Sequence, residues 1–498
     1  MGIHKRLSKL IWLAEAAILL AAVLPTLVIL NVPDNGRSSA WMLTIAIMAW
    51  SGLKLSLIIA SGKPRVFEFM FFLFVYIFMG LAPTVQIRSA SIASTTKDMP
   101  ANIDWPTALI VALALGVYEL GRLAPARRID APTARSQRAI NSRALWVLFF
   151  IGLAAMLYYV QSVGLDVLLQ DRHSRQAARD SSFDDGSLAA IVAAMAWIPL
   201  MASSGGFMLV RRRLRQQGEP TGPYGYVALL AAVGVLLVVN PISGARYTSG
   251  TVLFALLCST GILTSRWLRP FLALILAAFL FLFPIADAFR RASVDASRSG
   301  FFAEYAGNGD YDAFWQISNS LLFIEQQGIT WGNQALGVLL FWIPRNIWPQ
   351  KPTGTGVLLA QYRGYAFENL SAPLWAEALV NGGVVLMILT FVGLGVLLVR
   401  LDGRLPRSLA SNSVLALAGM ILPAYMIILL RGSLLQATGS LVVMLASLVA
   451  TTIGGARDSS PPESEIADIA IESSAPLRRH RRARQRTPKE RRMRLRKI

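Results

Sequence analysis

Apolar runs of about twenty residues recur along most of the chain, and a run of that length fits one solvent. At 1.5 Å rise per residue it matches the roughly 30 Å hydrocarbon thickness of a bilayer. In that solvent every backbone N–H and C=O must be satisfied within the chain, so such runs fold as helices. Composition agrees: 54% of the 498 residues are hydrophobic and only 15% are charged, against about 25% charged in a soluble domain. The expected fold is an all-α polytopic membrane protein with about twelve transmembrane helices. Nine are read near 11–31, 41–61, 66–86, 106–122, 144–165, 187–210, 224–242, 248–265 and 270–288, and three more near 374–399, 410–430 and 433–453.

Lysine and arginine set the orientation, because they concentrate in cytoplasmic loops. With Lys5, Arg6 and Lys9 inside, every second loop is expected inside. Those loops carry Lys63 and Arg65; Arg122, Arg127, Arg128, Arg135 and Arg138; Arg211, Arg212, Arg213 and Arg215; Arg266 and Arg269; and Arg400, Arg404 and Arg407. The alternation supports the count and places both termini in the cytoplasm. The chain then divides into nine spans over 1–288, one large extracytoplasmic loop over 289–373, three spans over 374–453 and a tail over 454–498.

Half of the net charge of +20 falls in the last twenty residues. Residues 459–474 have the composition of a disordered segment. The run that follows, from Arg478 and Arg479 through Arg481, Arg482, Arg484 and Arg486 to Lys489, is read as an anchor on anionic lipid headgroups, each base worth ~1 kcal/mol near the surface. Nucleic acid is not the expected partner of a chain this apolar. Cys258 is the single cysteine, so no intrachain disulfide forms. His4, His173 and His480 lie far apart, which argues against a histidine zinc site. The first apolar run lacks a small-residue cleavage site and is read as a retained helix.

Within the large loop, Phe314, Ile317, Leu321 and Ile324 recur at helical spacing. They predict an amphipathic helix over 311–327 lying on the membrane or on the bundle. The apolar stretch 335–343 is too short to span and reads as interfacial or re-entrant. The chain carries no internal repeat of the kind many transporters show.

The candidate chemistry lies in arginines at outer helix ends, where the positive-inside trend disfavours them. Arg246, followed by Tyr247, lies in a very short outer turn. Arg290 and Arg291 open the large loop, Arg345 and Lys351 flank Trp348 inside it, and Arg431 lies in a tight turn before the last span. Each alone would be explained by snorkelling to headgroups. A set converging on one side points to a polyanionic ligand, since the guanidinium fork donates two parallel hydrogen bonds to a phosphate. The segment Pro344-Arg345-Asn346-Ile347-Trp348-Pro349-Gln350-Lys351-Pro352 has three fixed φ angles and reads as a stiff non-helical clip. Glu377, followed one turn later by Asn381-Gly382-Gly383, sits just inside the outer end of a span. It either takes a proton from a sugar hydroxyl or pairs with an arginine. Lys54 and Glu119, towards inner ends, are read as structural.

The segment Pro344–Pro352, then Glu377 with Asn381-Gly382-Gly383, in one large outer loop after many spans, resembles bacterial oligosaccharide repeat-unit polymerases. These are Wzy-type members of the O-antigen polymerase and ligase group, which Gly244-x-Arg246 also resembles. The resemblance implies a fold like the C-type membrane glycosyltransferases and a glycan on undecaprenyl diphosphate as substrate. It implies transfer of the growing chain to a hydroxyl of a second lipid-linked unit at the outer face of a bacterial cytoplasmic membrane, with no cofactor. Catalytic roles would fall to Glu377, Arg246 and Arg345, and substrate contacts to Arg290, Arg291, Arg431, Lys351, Trp348 and Tyr247. A chain-length regulator and a flippase are the protein partners it allows. Ligases of the group usually carry a histidine in the large loop, and 289–373 has none, which favours a polymerase. A ligase-like transferase and a flippase for the same lipid-linked glycan are the alternatives.

Overall fold

The computed structural model describes residues 2–124, 139–170, 172–183, 186–240, 244–284 and 301–454. The tail, Arg290 and Arg291 lie outside them. Among the described residues all regular structure is helical, apart from one isolated bridge between Ala139 and Ser413. Eight helices are long and apolar enough to cross a membrane: Leu7–Asn31, Trp41–Ser61, Val66–Arg88, Ala101–Leu123, Ser142–Val163, Ala189–Gln217, Leu374–Ser411 and Val414–Arg431. Tyr224–Val238, Leu268–Leu282 and Leu434–Ala450 are shorter apolar helices, and Arg246–Ser259 has 14 residues. Eight of the twelve expected spans thus fall on helices long enough to cross, and the other four fall on shorter helices. One boundary moves: the segment after 399 was expected to be a loop, but the helix continues to Ser411. Arg400, Arg404 and Arg407 recur there at helical spacing, which suits a helix projecting into water.

Val66–Arg88 is the central helix, fully buried along its length. Its aromatic residues Phe69, Phe71, Phe72, Phe74 and Phe78 are all shielded, as expected of a helix apolar all round. Asp402 caps its start by accepting from the Phe67 and Glu68 backbone N–H groups at 3.1 and 2.9 Å. Helices Asp104–Leu123 and Leu374–Ser411 form the most extensive packed pair. Small residues make that approach possible: a Cβ at Gly121 would overlap the Val392 carbonyl oxygen, and one at Gly395 the Tyr118 carbonyl oxygen.

Charged partners separate into two groups. Arg37–Asp104, Arg88–Asp34, Arg246–Asp310 and Arg431–Asp310 join segments that the charge pattern assigns to the outside. Lys54–Glu119, Arg65–Glu68 and Arg122–Glu68 join segments assigned to the inside. None of these pairs mixes the two assignments.

The first two turns of the loop helix Ala313–Gln327 lie within the protein, and its end at 325–327 is exposed. Phe314 and Ile317 are buried, but so are Gln316, Ser318, Asn319 and Ser320. The helix packs against Leu374–Ser411, Asp104–Leu123 and Thr355–Arg363. Helix Leu374–Ser411 is broken at Gly382 and Gly383. Gly383 has φ +65 and ψ −159, a conformation open in practice only to glycine. The loop closes the break: Thr330 N–H donates to the Val380 carbonyl at 2.8 Å, Gly332 N–H to the Asn381 carbonyl at 2.9 Å, and Ala335 N–H to Asn381 Oδ1 at 2.8 Å. Helix Asn333–Leu339 then runs beside Leu434–Ala450, with Leu336, Leu339 and Trp342 exposed.

The glycine contact makes a testable claim. Gly395→Ala forces the central pair apart and is expected to destabilise the protein by about 1–3 kcal/mol. Gly393, which has nothing within 4 Å of its would-be Cβ, accepts alanine without loss. Thermal unfolding in detergent separates the two variants.

Candidate functional site

Two helix ends bring Arg246 and Arg431 onto one carboxylate. Arg431 ends helix Val414–Arg431, and Arg246 begins helix Arg246–Ser259. Asp310 comes from the short Gly309–Tyr311 turn of the large loop. Arg246 Nη1 lies 3.5 Å from Asp310 Oδ2, and Arg431 Nη2 lies 3.3 Å from Asp310 Oδ1. Arg431 Nε also donates to the Asp310 carbonyl at 3.0 Å. The Asp310 side chain retains 35% of its exposure, so the cluster opens to the outside of the fold.

Asp312 fixes the cluster from behind. Its carboxylate is buried, lies 3.7 Å from Arg431 Nη2, and accepts from Ser371 Oγ at 2.6 Å, Thr95 Oγ1 at 3.2 Å and Gln316 Nε2 at 3.2 Å. Four separate segments thereby hold one carboxylate. Arg431 sits 5.2 Å from the centre of the Tyr247 ring, and Arg246 lies 5.4 Å from that of Phe283. Tyr247 therefore supports Arg431 through its ring face, and its hydroxyl is buried. Burial also holds the Tyr305 and Tyr311 hydroxyls well above their ordinary range. Both stay neutral at physiological pH, which leaves the carboxylates as the acid–base groups of the cluster.

Glu377 is buried beside this cluster, and its partners are not arginines. Thr355 Oγ1 donates to Oε2 at 2.5 Å, while Ser433 Oγ and Leu434 N–H reach Oε1 at 3.3 and 2.8 Å. Ser433 and Leu434 start the last helix, so Glu377 caps it and fixes the turn that directly follows Arg431. The expected pairing of Glu377 with an arginine does not occur, because these three donors take up its carboxylate.

The proline clip is stiff for a further reason: Lys351 is turned inward. Its Nζ donates to the Phe341 and Ile343 carbonyls at 2.6 and 2.9 Å. Arg345 is exposed and donates to the Lys351 carbonyl at 2.8 Å, and Trp348 is half-buried. Arg345 is thus hydrogen-bonded within its own loop rather than to Asp310. Beyond the clip, Thr355 leads to Glu377 and so to the Arg431 turn.

Two features escaped the sequence reading. Asp310 and Asp312 carry the cluster; their signal was two acids flanking Tyr311 just ahead of the predicted loop helix. Arg175 and Arg179, one turn apart on helix Arg172–Ser182, line a cavity of about 210 Å³ with Tyr159, Trp197, Gly244 and Ala245. This cavity shares the 244–248 turn with Arg246. Their signal was the i, i+4 spacing of two arginines in segment 166–186, which mixes acids such as Asp166, Asp171 and Asp180 with bases.

Glu377→Ala leaves three donors without their acceptor and is expected to cost about 2–3 kcal/mol. Glu377→Gln keeps an acceptor for Leu434 N–H and is expected to lose less than half of that, as read by thermal unfolding. Comparison of the chain with protein-family models, with curated proteins and with solved structures gives no match.

Proposed function

We propose that the protein polymerises oligosaccharide repeat units carried on undecaprenyl diphosphate, at the outer face of the cytoplasmic membrane. One observation carries the reading. Arg246 and Arg431, distant in sequence and both placed against the positive-inside trend, meet at a single partly open carboxylate. Guanidinium pairs of this kind suit a diphosphate, and the reaction needs them most when the leaving group gains charge. Donors already in place at that moment lower the barrier. The arginine-lined cavity beside the same turn adds a second place for an anionic group. The broken helix at Gly382–Gly383 is linked to the turn after Arg431 through Asn381 and Glu377. In this reading the growing lipid-linked chain is the donor, a hydroxyl of a second lipid-linked unit attacks its anomeric carbon, and undecaprenyl diphosphate departs.

The purified protein in vesicles is expected to extend a lipid-linked repeat unit. Arg246→Ala and Arg431→Ala are each expected to lower the elongation rate by roughly 10²–10³-fold, the usual effect of losing one charge-stabilising donor, with single units accumulating on lipid. Movement of the unit across the vesicle without extension would establish a flippase instead. Transfer onto a non-lipid-linked acceptor alone would establish a ligase-like enzyme.

Orientation has its own test. A cysteine placed at the exposed Gln326 position of the large loop is expected to react with an impermeant maleimide added to intact cells. Buried Cys258 contributes little background. Labelling only after the membrane is opened would reverse the topology.

A further inference from the structure

We infer that Asp310 is the catalytic base that takes the proton from the attacking hydroxyl, an inference that rests on the glycosyl-transfer reading above. Glu377 held this role in the sequence reading, and its surroundings argue against it. Glu377 is 3% exposed, and three donors occupy its carboxylate. No acceptor hydroxyl reaches it without dismantling the start of the last helix. Asp312 is excluded on the same ground, being buried with donors from Ser371, Thr95 and Gln316.

Asp310 differs on each count. Its side chain is 35% exposed. An ionised carboxylate offers about four lone-pair sites, and one guanidinium engages each oxygen, so acceptor capacity remains for a hydroxyl. It stands beside the two arginines proposed to hold the diphosphate. An arginine carries five N–H donors, and the Nη1 of Arg431 takes no part in its contacts with Asp310 and Asp312. The buried phenols of Tyr305 and Tyr311 are neutral and offer no competing base.

The step balances as follows. The hydroxyl oxygen of the acceptor sugar forms a bond to the anomeric carbon of the donor chain. The bond from that carbon to the diphosphate oxygen breaks, and its electron pair leaves with undecaprenyl diphosphate. Arg246 and Arg431 meet the new negative charge. The hydroxyl proton passes to Asp310 and from there to water, restoring the carboxylate.

The test uses the full-length protein in nanodiscs, with elongation of a lipid-linked repeat unit and binding of inorganic pyrophosphate measured side by side. Asp310→Asn is expected to lower the elongation rate by roughly 10²-fold or more, in the range of a lost general base. Pyrophosphate binding is expected to be retained or to tighten, since the variant removes one negative charge from beside the arginines. Wild-type elongation by Asp310→Asn overturns the assignment. Loss of pyrophosphate binding together with elongation also overturns it, since Asp310 would then be a counter-ion that only positions the arginines. If Asp310→Asn does not fold, Asp310→Ala with added formate replaces it: recovered elongation supports the base, and none overturns it. Failure of the wild-type protein to elongate is a separate result, which removes the polymerase reading and this inference with it.

Discussion

The Arg431 guanidinium is the joint on which this end of the helix bundle depends. A cation at the outer end of an apolar helix is disfavoured, and it persists where partners and hydrogen bonds offset its desolvation. Here Asp310 and Asp312 supply the charge, the Asp310 carbonyl and the Tyr247 ring supply the remaining contacts, and the Arg431 carbonyl accepts from Ala372 N–H at 3.1 Å. The contacts come from the beginning and the end of the large loop. That segment is therefore tied to the bundle at both ends by one residue, and the short elements between the ties have limited room to rearrange.

The glycine break in Leu374–Ser411 serves the same purpose by a different route. Backbone groups freed inside an apolar bundle are costly unless another segment takes them up. Residues 330–335 do so at Val380 and Asn381. Asn381 Nδ2 also donates to the Glu377 carbonyl at 2.8 Å, and Glu377 caps the turn after Arg431. The broken helix, the buried acid and the outer arginine are thus parts of one hydrogen-bonded chain. Asn381-Gly382-Gly383 drew attention in the sequence for its position after Glu377; its physical content is a place where a helix opens so that a loop can dock.

Hydrophobic runs made the helices legible, because a bilayer-length apolar stretch permits few other structures. The arginines were legible because they violate a compositional trend. Glu377 was legible as an acid in the wrong solvent, but its role was not, since Thr355, Ser433 and Leu434 N–H come from segments that only the fold brings together. Lys351 misled for the same reason: a lysine between prolines looks available, yet the loop folds over its ammonium. The helix 313–327 was legible as a helix, but its depth was not. Gln316 and Asn319 read as a solvated face, while in the fold Gln316 Nε2 reaches Thr96 and Asp312, and Asn319 Nδ2 reaches Gln316. Asp310 and Asp312 gave the weakest signal, because acids in an outer loop break no rule.

Charge balance explains why those two acids matter. Among the described residues, Arg246 and Arg431 against Asp310 and Asp312 sum to zero. A neutral cluster is a poor electrostatic partner for a diphosphate until one carboxylate changes state. Proton transfer from the attacking hydroxyl to Asp310 would leave the cluster at +1 as the departing diphosphate gains one negative charge. The stabilisation would then appear in the transition state rather than in the bound ground state, which is the condition for raising the rate instead of only tightening binding. Asp312 cannot substitute, because it is buried and its carboxylate is occupied by Ser371, Thr95, Gln316 and Arg431. In the proposed reaction two carboxylates two residues apart would divide the work: the buried one keeps Arg431 in place, and the open one would exchange the proton.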